Sequence, residues 1–102
     1  MEILFSIHLA PGENYDFKKS VYEQDLAAHG QYLQKLMENG KLVLAGPFAD
    51  NTGGQAIIRA GTEAEALSLV DNDPSIINKV FSYEIHPWHI RFNSLLKKDG
   101  SN

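Results

Sequence analysis

Two hydrophobic periodicities alternate along this chain, and each predicts a different kind of element. Residues 2–10 carry Ile, Phe, Ile and Leu at every second position, which is the pattern of a strand with one buried face. From Asp16 onward the apolar residues recur at steps of three and four, as they do on an amphipathic helix. Asp16 is a suitable N-cap for that helix, and Gly40 suits the left-handed conformation just past its end. This part of the chain therefore predicts a strand followed by a helix.

The rest of the chain repeats these patterns. Thr62 followed by Glu65 is a capping box, and Asp73-Pro74 is an N-cap followed by proline at the first position of a short helical turn. Pro47 ends an apolar strand, because proline has no N–H to donate to a neighbouring strand. The predicted elements are a strand over 42–45, a turn-rich loop over 49–54, a strand over 55–60, a helix over 62–72, a turn through Ile77 and a strand over 80–88.

The resulting order of elements is βαββαβ, which is typical of the α+β ferredoxin-like fold. In this fold one antiparallel sheet carries both helices on one face. The chain has 102 residues, the length of one ordinary domain, so we expect a single domain over 1–96 and a polar C-terminal tail over 97–102.

The strand patterns also predict what covers the second face of the sheet. If the helices cover the side chains around Phe5 and Tyr83, the opposite face carries a mixture of apolar and polar residues. These are Leu4, Ser6, His8, Ser82, Glu84 and His86. Such a face is too apolar in its middle strands to stay wholly open to water, so we expect a second copy of the chain to cover it. The predicted assembly is a homodimer with facing sheets.

Composition and charge exclude several classes of protein. Hydrophobic residues make up 43% of the chain and charged residues 22%, as in ordinary soluble domains. The net charge is -4 and the nine basic residues are scattered, so nucleic acid is not an expected partner. No apolar run approaches the roughly 20 residues that span a membrane, and we expect a cytoplasmic protein. The absence of cysteine excludes disulfides, thiolate zinc sites and cysteine nucleophiles.

His29 is the strongest candidate for chemistry, because it lies within the apolar helix face and imidazole is the usual general base near neutral pH. The alternative is a core histidine with one hydrogen-bonded nitrogen. The choice depends on a carboxylate partner that orients the ring. Asp25 lies one helical turn earlier, whereas Asp73 has to be brought in by the fold. Asp73 is also explained by helix capping alone, so at this point both partners stay open.

Other residues are candidates for contact with a ligand or a metal. Gly46-Pro47 either allows close approach of backbone to a ligand or simply ends a strand at the sheet edge. Trp88 and His8 are further candidates for substrate contact, although a single aromatic residue at a strand end usually serves packing. His86 and His89 are three apart on a strand and point to opposite faces, which does not favour a metal site. We expect no metal and no organic cofactor.

Taken together, these motifs resemble the YCII-related (YciI-like) family. The matching stretches, in order, are Glu23-Gln24 through His29 and Leu33, then Gly40-Lys41-Leu42, Ala45-Gly46-Pro47, Asp73-Pro74 and Pro87-Trp88. The resemblance spans Met1 to Ile90. It implies a dimeric α+β barrel of ferredoxin-like subunits, with a pocket that contains a His-Asp pair. In this chain the pair matches His29 and Asp73, and the Gly-Pro of the pocket wall matches Gly46-Pro47.

The resemblance also implies a function. One branch of the family resembles dehydrochlorinases of chlorinated hydroxyquinols, and fold relatives include muconolactone isomerase and cofactor-free monooxygenases. We therefore expect a small enzyme in which His29, oriented by Asp73, moves a proton on a small cyclic or aromatic compound in an elimination or isomerisation. The alternatives are a non-enzymatic or stress-associated dimer that binds a small ligand, and an oxygen-using monooxygenase. The chain departs from the family pattern in its extension after Trp88 and in its additional histidines.

Overall fold

The structure, a computed structural model, describes residues 2–96. Its strands are β1 (Ile3–Pro11), β2 (Leu42–Pro47), β3 (Gly54–Ala60) and β4 (Phe81–Trp88), its helices are α1 (Ala27–Glu38), α2 (Glu63–Asp71) and α3 (Pro74–Ile77), and short 3₁₀ turns occupy Val21–Glu23 and Ser94–Leu96. The predicted tail over 97–102 falls outside the described residues. The domain limits therefore stay a prediction.

The four strands form one antiparallel sheet in the order β2-β3-β1-β4, so the first strand of the chain is central. This is the ferredoxin-like topology, and the predicted α+β fold is confirmed. The helices pack on one face, where Phe5 and Ile7 of β1 are each 2% exposed and form the centre of the core with Leu36 of α1 and Val70 of α2. Burial of a side chain of this size contributes about 1.5–3 kcal/mol.

Strand pairing determines which side chains lie on the face away from the helices. Because successive residues of a strand point to opposite sides, Phe5 and Ile7 meet the helices while Ser6 between them points away. This second face, called the open face below, carries Leu4, Ser6, His8, Leu44, Gln55, Ile57, Arg59, Ser82, Glu84, His86 and Trp88. The predicted composition of the face is confirmed. Near its centre, Ile57 is packed among its neighbours to 3% exposure.

Helix α1 begins at Ala27, not just after Asp16 as the spacing predicted. The Asp16 side chain accepts the backbone N–H two residues later at 2.9 Å, which closes a local turn instead of capping a helix. A second local signal follows, because the Glu23 carboxylate accepts the N–H of Ser20 at 2.9 Å and closes a 3₁₀ turn. The chain leaves that turn in an extended conformation at Gln24, so no helix can continue through it.

Both later helices begin where the sequence predicted. Thr62 Oγ1 accepts the N–H of Glu65 at 3.1 Å, and this bond caps α2. Asp73 Oδ1 accepts the N–H of Ser75 at 2.9 Å, with Pro74 as the first residue of α3. Each cap contributes about 1 kcal/mol to the stability of its helix. No helix in the described part of the chain is long and apolar enough to cross a membrane.

Candidate functional site

A cavity of about 270 Å³ opens between the segment 21–33 and the hairpin of β2 and β3. It is lined by Leu9, Val21, Tyr22, Leu26, His29, Leu33, Ala45, Gly46, Pro47, Gly53, Gly54, Gln55, Ala56 and Phe81. Most of these residues are apolar, and His29 is the only histidine among them. A molecule in the cavity is therefore surrounded largely by hydrocarbon and meets one imidazole ring.

Three glycines form part of one wall of the cavity, and a side chain would clash with the backbone at two of them. Gly53 has a φ of +144°, and a Cβ at this position would collide with the carbonyl oxygen of Leu9. A Cβ on Gly54 would lie 2.9 Å from the carbonyl oxygen of Gly46. A Cβ on Gly46 itself would meet nothing within 4 Å. The packing of the subunit therefore does not require glycine at position 46, although the Gly46 backbone lines the cavity.

The loop before α1 forms the opposite wall, and side-chain hydrogen bonds hold its shape. Gln24 bonds the backbone of Asp16 twice, since its Oε1 accepts the Asp16 N–H at 3.0 Å and its Nε2 donates to the Asp16 carbonyl at 2.8 Å. In the hairpin loop, Asn51 Oδ1 accepts the N–H of Val21 at 2.7 Å. The two walls are thus hydrogen-bonded to each other. Tyr22, at the edge of the cavity, is 83% exposed.

His29 and Asp73 are in direct contact. His29 lies in the first turn of α1 and Asp73 is the N-cap of α3. Nδ1 of His29 is 2.9 Å from both carboxylate oxygens of Asp73, and Asp73 is only 5% exposed. Because a carboxylate can only accept hydrogen bonds, Nδ1 carries the proton in this contact, and the neutral ring has its lone pair on Nε2.

Nε2 of His29 is the chemically available atom of the pair. Among residues 2–96 it has no hydrogen-bond partner, and it is not fully buried. The Phe81 ring packs edge-on against the imidazole with 5.9 Å between the ring centroids, which limits rotation of the ring. The arrangement orients the lone pair of a ring that lines the cavity.

Tyr32 is a residue of this site that the sequence reasoning missed. Its hydroxyl donates to the backbone carbonyl of Leu69 at 2.6 Å. Burial and, to a smaller extent, the charge of Asp73 raise the pKa of the Tyr32 phenol above its usual value of 10.0. The phenol therefore stays protonated near neutral pH and remains a donor. Its position one turn after His29 on the same helix face is the signal that points to it in the sequence.

The structure brings together four of the six predicted site residues. His29 contacts Asp73, and Gly46-Pro47 lines the same cavity as His29. Asp25, the alternative partner, lies before the start of α1 and is exposed to solvent. The helical spacing that would have paired Asp25 with His29 is therefore not formed. The catalytic role of the His29–Asp73 pair stays a prediction.

His8 and Trp88 do not line the cavity of the subunit. Strand alternation places both on the open face, where His8 pairs with Gln55 and Glu84, and Trp88 pairs with Leu4 near the far end of the sheet. The cavity lies on the helix side of the sheet, beside the C-terminal half of β1. It is therefore on the opposite face from His8 and at the opposite end of the sheet from Trp88. The predicted contact of these two residues with a substrate gains no support from a single subunit and stays a prediction.

The open face also carries His86, one of the two histidines considered as metal ligands, together with His8. His8 and His86 have ring centroids 6.2 Å apart, and the Glu84 carboxylate lies 3.6 Å from Nε2 of His86. All three side chains are exposed in the subunit. Residues 2–96 contain no group of three or more His, Cys, Asp or Glu side chains arranged to hold a metal ion.

The fold and the site define a class of protein, a small ferredoxin-like subunit whose apolar cavity contains a carboxylate-oriented histidine. The YCII-related domain matches residues 3–89, so the chain belongs to the YCII-related family. The family predicted from the motifs is confirmed. Residues 90–96 of the described chain lie beyond this match.

Two similar proteins give this family membership more detail. The uncharacterized protein YjpA of Bacillus subtilis (strain 168) is 29% identical over 69 residues, which cover 68% of this chain and 81% of YjpA. Among solved structures, 5-chloro-2-hydroxyhydroquinone dehydrochlorinase (TftG) from Burkholderia phenoliruptrix AC1100, in complex with 2,5-dihydroxybenzoquinone, matches with a TM-score of 0.66 and 27% sequence identity. That match covers 85% of this chain and 94% of TftG. A protein of the same fold is therefore a dehydrochlorinase.

Proposed function

We propose that this protein is a small enzyme that moves a proton on a small cyclic or aromatic compound, with His29 as the base and Asp73 as its orienting partner. No metal or organic cofactor takes part in the proposed reaction. The observation that supports the proposal most is the arrangement of His29, whose Nδ1 meets Asp73 while Nε2 is left for a molecule in an apolar cavity. The similarity to a dehydrochlorinase of the same fold supports it independently.

In the proposed reaction, Nε2 of His29 takes a proton from a carbon or hydroxyl group of the substrate. The electron pair of the broken bond forms a new double bond. In an elimination, a leaving group such as chloride departs with the electron pair of its own bond. In an isomerisation, the proton returns to a different atom of the substrate. The negative charge of Asp73 stabilises the imidazolium that exists between these steps, and its contact with Nδ1 holds the ring in place.

The size and lining of the cavity favour a single ring as the substrate. A volume of about 270 Å³ is at the small end of ligand pockets, which suits one substituted six-membered ring. Leu9, Leu33 and Phe81 provide apolar contact for such a ring, and the backbone of Gly46 forms part of the wall. The dehydrochlorinase of the same fold was solved with a compound of this kind, 2,5-dihydroxybenzoquinone.

We also propose that the protein acts as a cytoplasmic homodimer in which the open faces of two sheets pack together. Leu44 is 50% and Trp88 43% exposed on this face, and Ile57 lies between their strands. Covering apolar surface stabilises an assembly by about 25 cal/mol per Å², so a second copy is a favourable cover. His8 and Trp88 then lie in the interface between the subunits.

A second candidate function is the binding of a small ligand without its conversion. Asp73 accepts the N–H of Ser75 and thereby caps α3, so the position of the carboxylate has a structural explanation as well. In this alternative, the contact between His29 and Asp73 only fixes α1 against α3, and the cavity holds the ligand. The two candidates differ in whether a reaction depends on Nε2.

The test is turnover by the wild type and His29→Ala on a panel of small aromatic acids, phenols and chlorinated hydroxyquinols. We expect His29→Ala to lose at least about 100-fold in kcat, because general base catalysis contributes about 10²–10⁴-fold. His89→Ala is the matched control, because His89 is exposed and lies outside the cavity. Full turnover by a folded His29→Ala variant would exclude the mechanism. Binding of a panel compound with no turnover of any would favour the second candidate.

A further inference from the structure

Tyr32 connects α1 to the end of α2 through its hydroxyl group. It lies three residues after His29, so the two side chains share one face of the helix. The hydroxyl donates to the backbone carbonyl of Leu69 at 2.6 Å, and Asp73 follows Leu69 by four residues. Two bonds therefore run side by side from α1, one from His29 to Asp73 and one from Tyr32 to Leu69.

The way α2 ends leaves the Leu69 carbonyl available for this bond. In a regular α-helix, that carbonyl accepts the N–H of the residue four positions later, which here is Asp73. The N–H of Asp73 instead donates to the carbonyl of Val70 at 3.0 Å, so the last turn is tightened. The Tyr32 hydroxyl bonds the carbonyl that this turn releases, and the same turn determines where Asp73 leaves the helix.

Packing alone does not determine the distance between His29 and Asp73. A small, partly open recess of about 20 Å³ lies among His29, Tyr32, Asp73 and the apolar side chains around them. Atoms that line such a recess lose packing contacts on one side. The bond to the Ser75 N–H sets the rotamer of Asp73, but α1 and the end of α2 have room to shift against each other, and the hydrogen bond from Tyr32 to the Leu69 carbonyl restrains that shift.

We propose that Tyr32 is a positioning residue for the contact between His29 and Asp73. Its hydroxyl holds the end of α2 at the spacing at which Nδ1 of His29 meets both oxygens of Asp73. Tyr32 does not line the cavity of about 270 Å³, so it acts through the contact between His29 and Asp73 and not on the substrate. For turnover the inference rests on the proposed function, whereas the geometry of the pair is measurable without a ligand.

Tyr32→Phe tests this inference, because it removes the hydroxyl and keeps the ring. Tyr83→Phe is the matched control, since the Tyr83 hydroxyl donates to the Asp71 side chain at 2.8 Å, also at the end of α2 but not to its backbone. The readouts are the ¹⁵N chemical shifts of the His29 ring in the ligand-free protein, which report its tautomer, and steady-state kinetics. We expect the wild type and Tyr83→Phe to hold one tautomer, protonated at Nδ1.

We expect Tyr32→Phe to mix the two tautomers and to lower kcat by about 3- to 10-fold, the loss of one hydrogen bond, with KM within about twofold. One tautomer in a folded Tyr32→Phe variant would overturn the proposal, whether or not kcat falls, because the hydroxyl would then not act through His29. If the tautomers mix while His29→Ala retains turnover, the positioning role stands and the proposed function fails. Circular dichroism in the near ultraviolet verifies that each variant is folded.

Discussion

The carboxylate of Asp73 uses both oxygens on Nδ1 of His29 at 2.9 Å, although 44 residues separate the two in the chain. Asp73 is held in place independently of His29, because its Oδ1 also accepts the N–H of Ser75 at the start of α3. A residue that caps a helix has its side chain directed back at the first turn, which fixes its rotamer. The backbone feature that starts α3 therefore also directs the carboxylate at the imidazole.

Asp73→Asn separates the two roles of this carboxylate. The amide oxygen of asparagine still accepts the N–H of Ser75, whereas the neutral amide cannot stabilise an imidazolium. We expect kcat on an identified substrate to fall by at least about 100-fold and the free energy of unfolding to change by no more than about 1 kcal/mol. Asp73→Ala should lose the same activity and, with the cap removed, about 0.5–2 kcal/mol of stability. Steady-state kinetics measure the activity of each variant, and urea unfolding measures its stability. An active Asp73→Asn variant would show that the negative charge of Asp73 is not needed for the reaction.

Gly46 should tolerate a methyl group without loss of the fold or of ligand binding. A Cβ at this position meets nothing within 4 Å, so Gly46→Ala is expected to change the free energy of unfolding by less than about 0.5 kcal/mol. Gly46 pairs with Gln55 of the open face, so strand alternation points the added methyl group away from the cavity, and the Kd of a bound compound should stay within about twofold. Isothermal titration calorimetry and thermal unfolding give the two quantities.

Gly54→Ala is the control for this prediction. Its Cβ would lie 2.9 Å from the carbonyl oxygen of Gly46, so this variant should lose at least about 1 kcal/mol of stability. An equal loss of stability in both variants would show that the subunit itself requires glycine at 46. A raised Kd in a stable Gly46→Ala variant would place the added methyl group in the cavity and contradict the position of Gly46 on the open face.

The fold was predictable from the sequence where the signals are local. Alternation in β1 and β4 and the caps at Thr62 and Asp73 each act within a few residues, and no tertiary contact overrides them in this structure. The start of α1 was not predictable in this way. Asp16 has the side chain of an N-cap, but the loop is shaped by the bonds of Gln24 to distant backbone groups, and these exist only after the loop has folded.

The site was predictable only in part, for a similar reason. His29 follows from helical spacing, but the residue pattern did not decide between Asp25 and Asp73, and only the family resemblance favoured the latter. Asp25 is near in sequence, yet the helix begins after it. Tyr32 gains its role because the Leu69 carbonyl is released by a tight turn at the end of α2. The free Leu69 carbonyl is created by the tertiary structure and has no signal of its own in the sequence.

Tyr32 and Tyr83 should make the stability of the protein fall at alkaline pH. Burial raises the pKa of both phenols above 10.0, with further contributions from the charge of Asp73 for Tyr32 and from the hydrogen bond to Asp71 for Tyr83. The folded state thus favours the protonated phenols. Their contribution to stability is complete below the unfolded value of 10.0 and is lost as the pH rises through the raised pKa values.

The measurement is the free energy of unfolding of the wild type and of a Tyr32→Phe, Tyr83→Phe double variant between about pH 8 and about pH 11. The wild type should lose stability more steeply than the double variant above pH 10. Parallel curves would mean that the two hydroxyls bind their protons equally well in the folded and the unfolded chain.

Leu44 provides the test of the proposed homodimer. It lies on the open face opposite Ile57 and is 50% exposed in the subunit. A carboxylate at this position stays hydrated in a free subunit and costs it little, but between two facing sheets it would be buried without a partner. We therefore expect twice the chain mass for the wild type at micromolar concentration and the mass of one chain for Leu44→Glu, measured by size exclusion with light scattering.

Met37→Glu is the matched control, because Met37 is 48% exposed on α1, on the helix side of the sheet, and receives the same charge. This variant should keep the wild-type mass. A monomeric wild type would exclude the homodimer, and dissociation of Met37→Glu alone would place the interface on the helices. The walls of the cavity come from one chain, so turnover by monomeric Leu44→Glu would show in addition that contacts of His8 and Trp88 across an interface are not needed for the reaction.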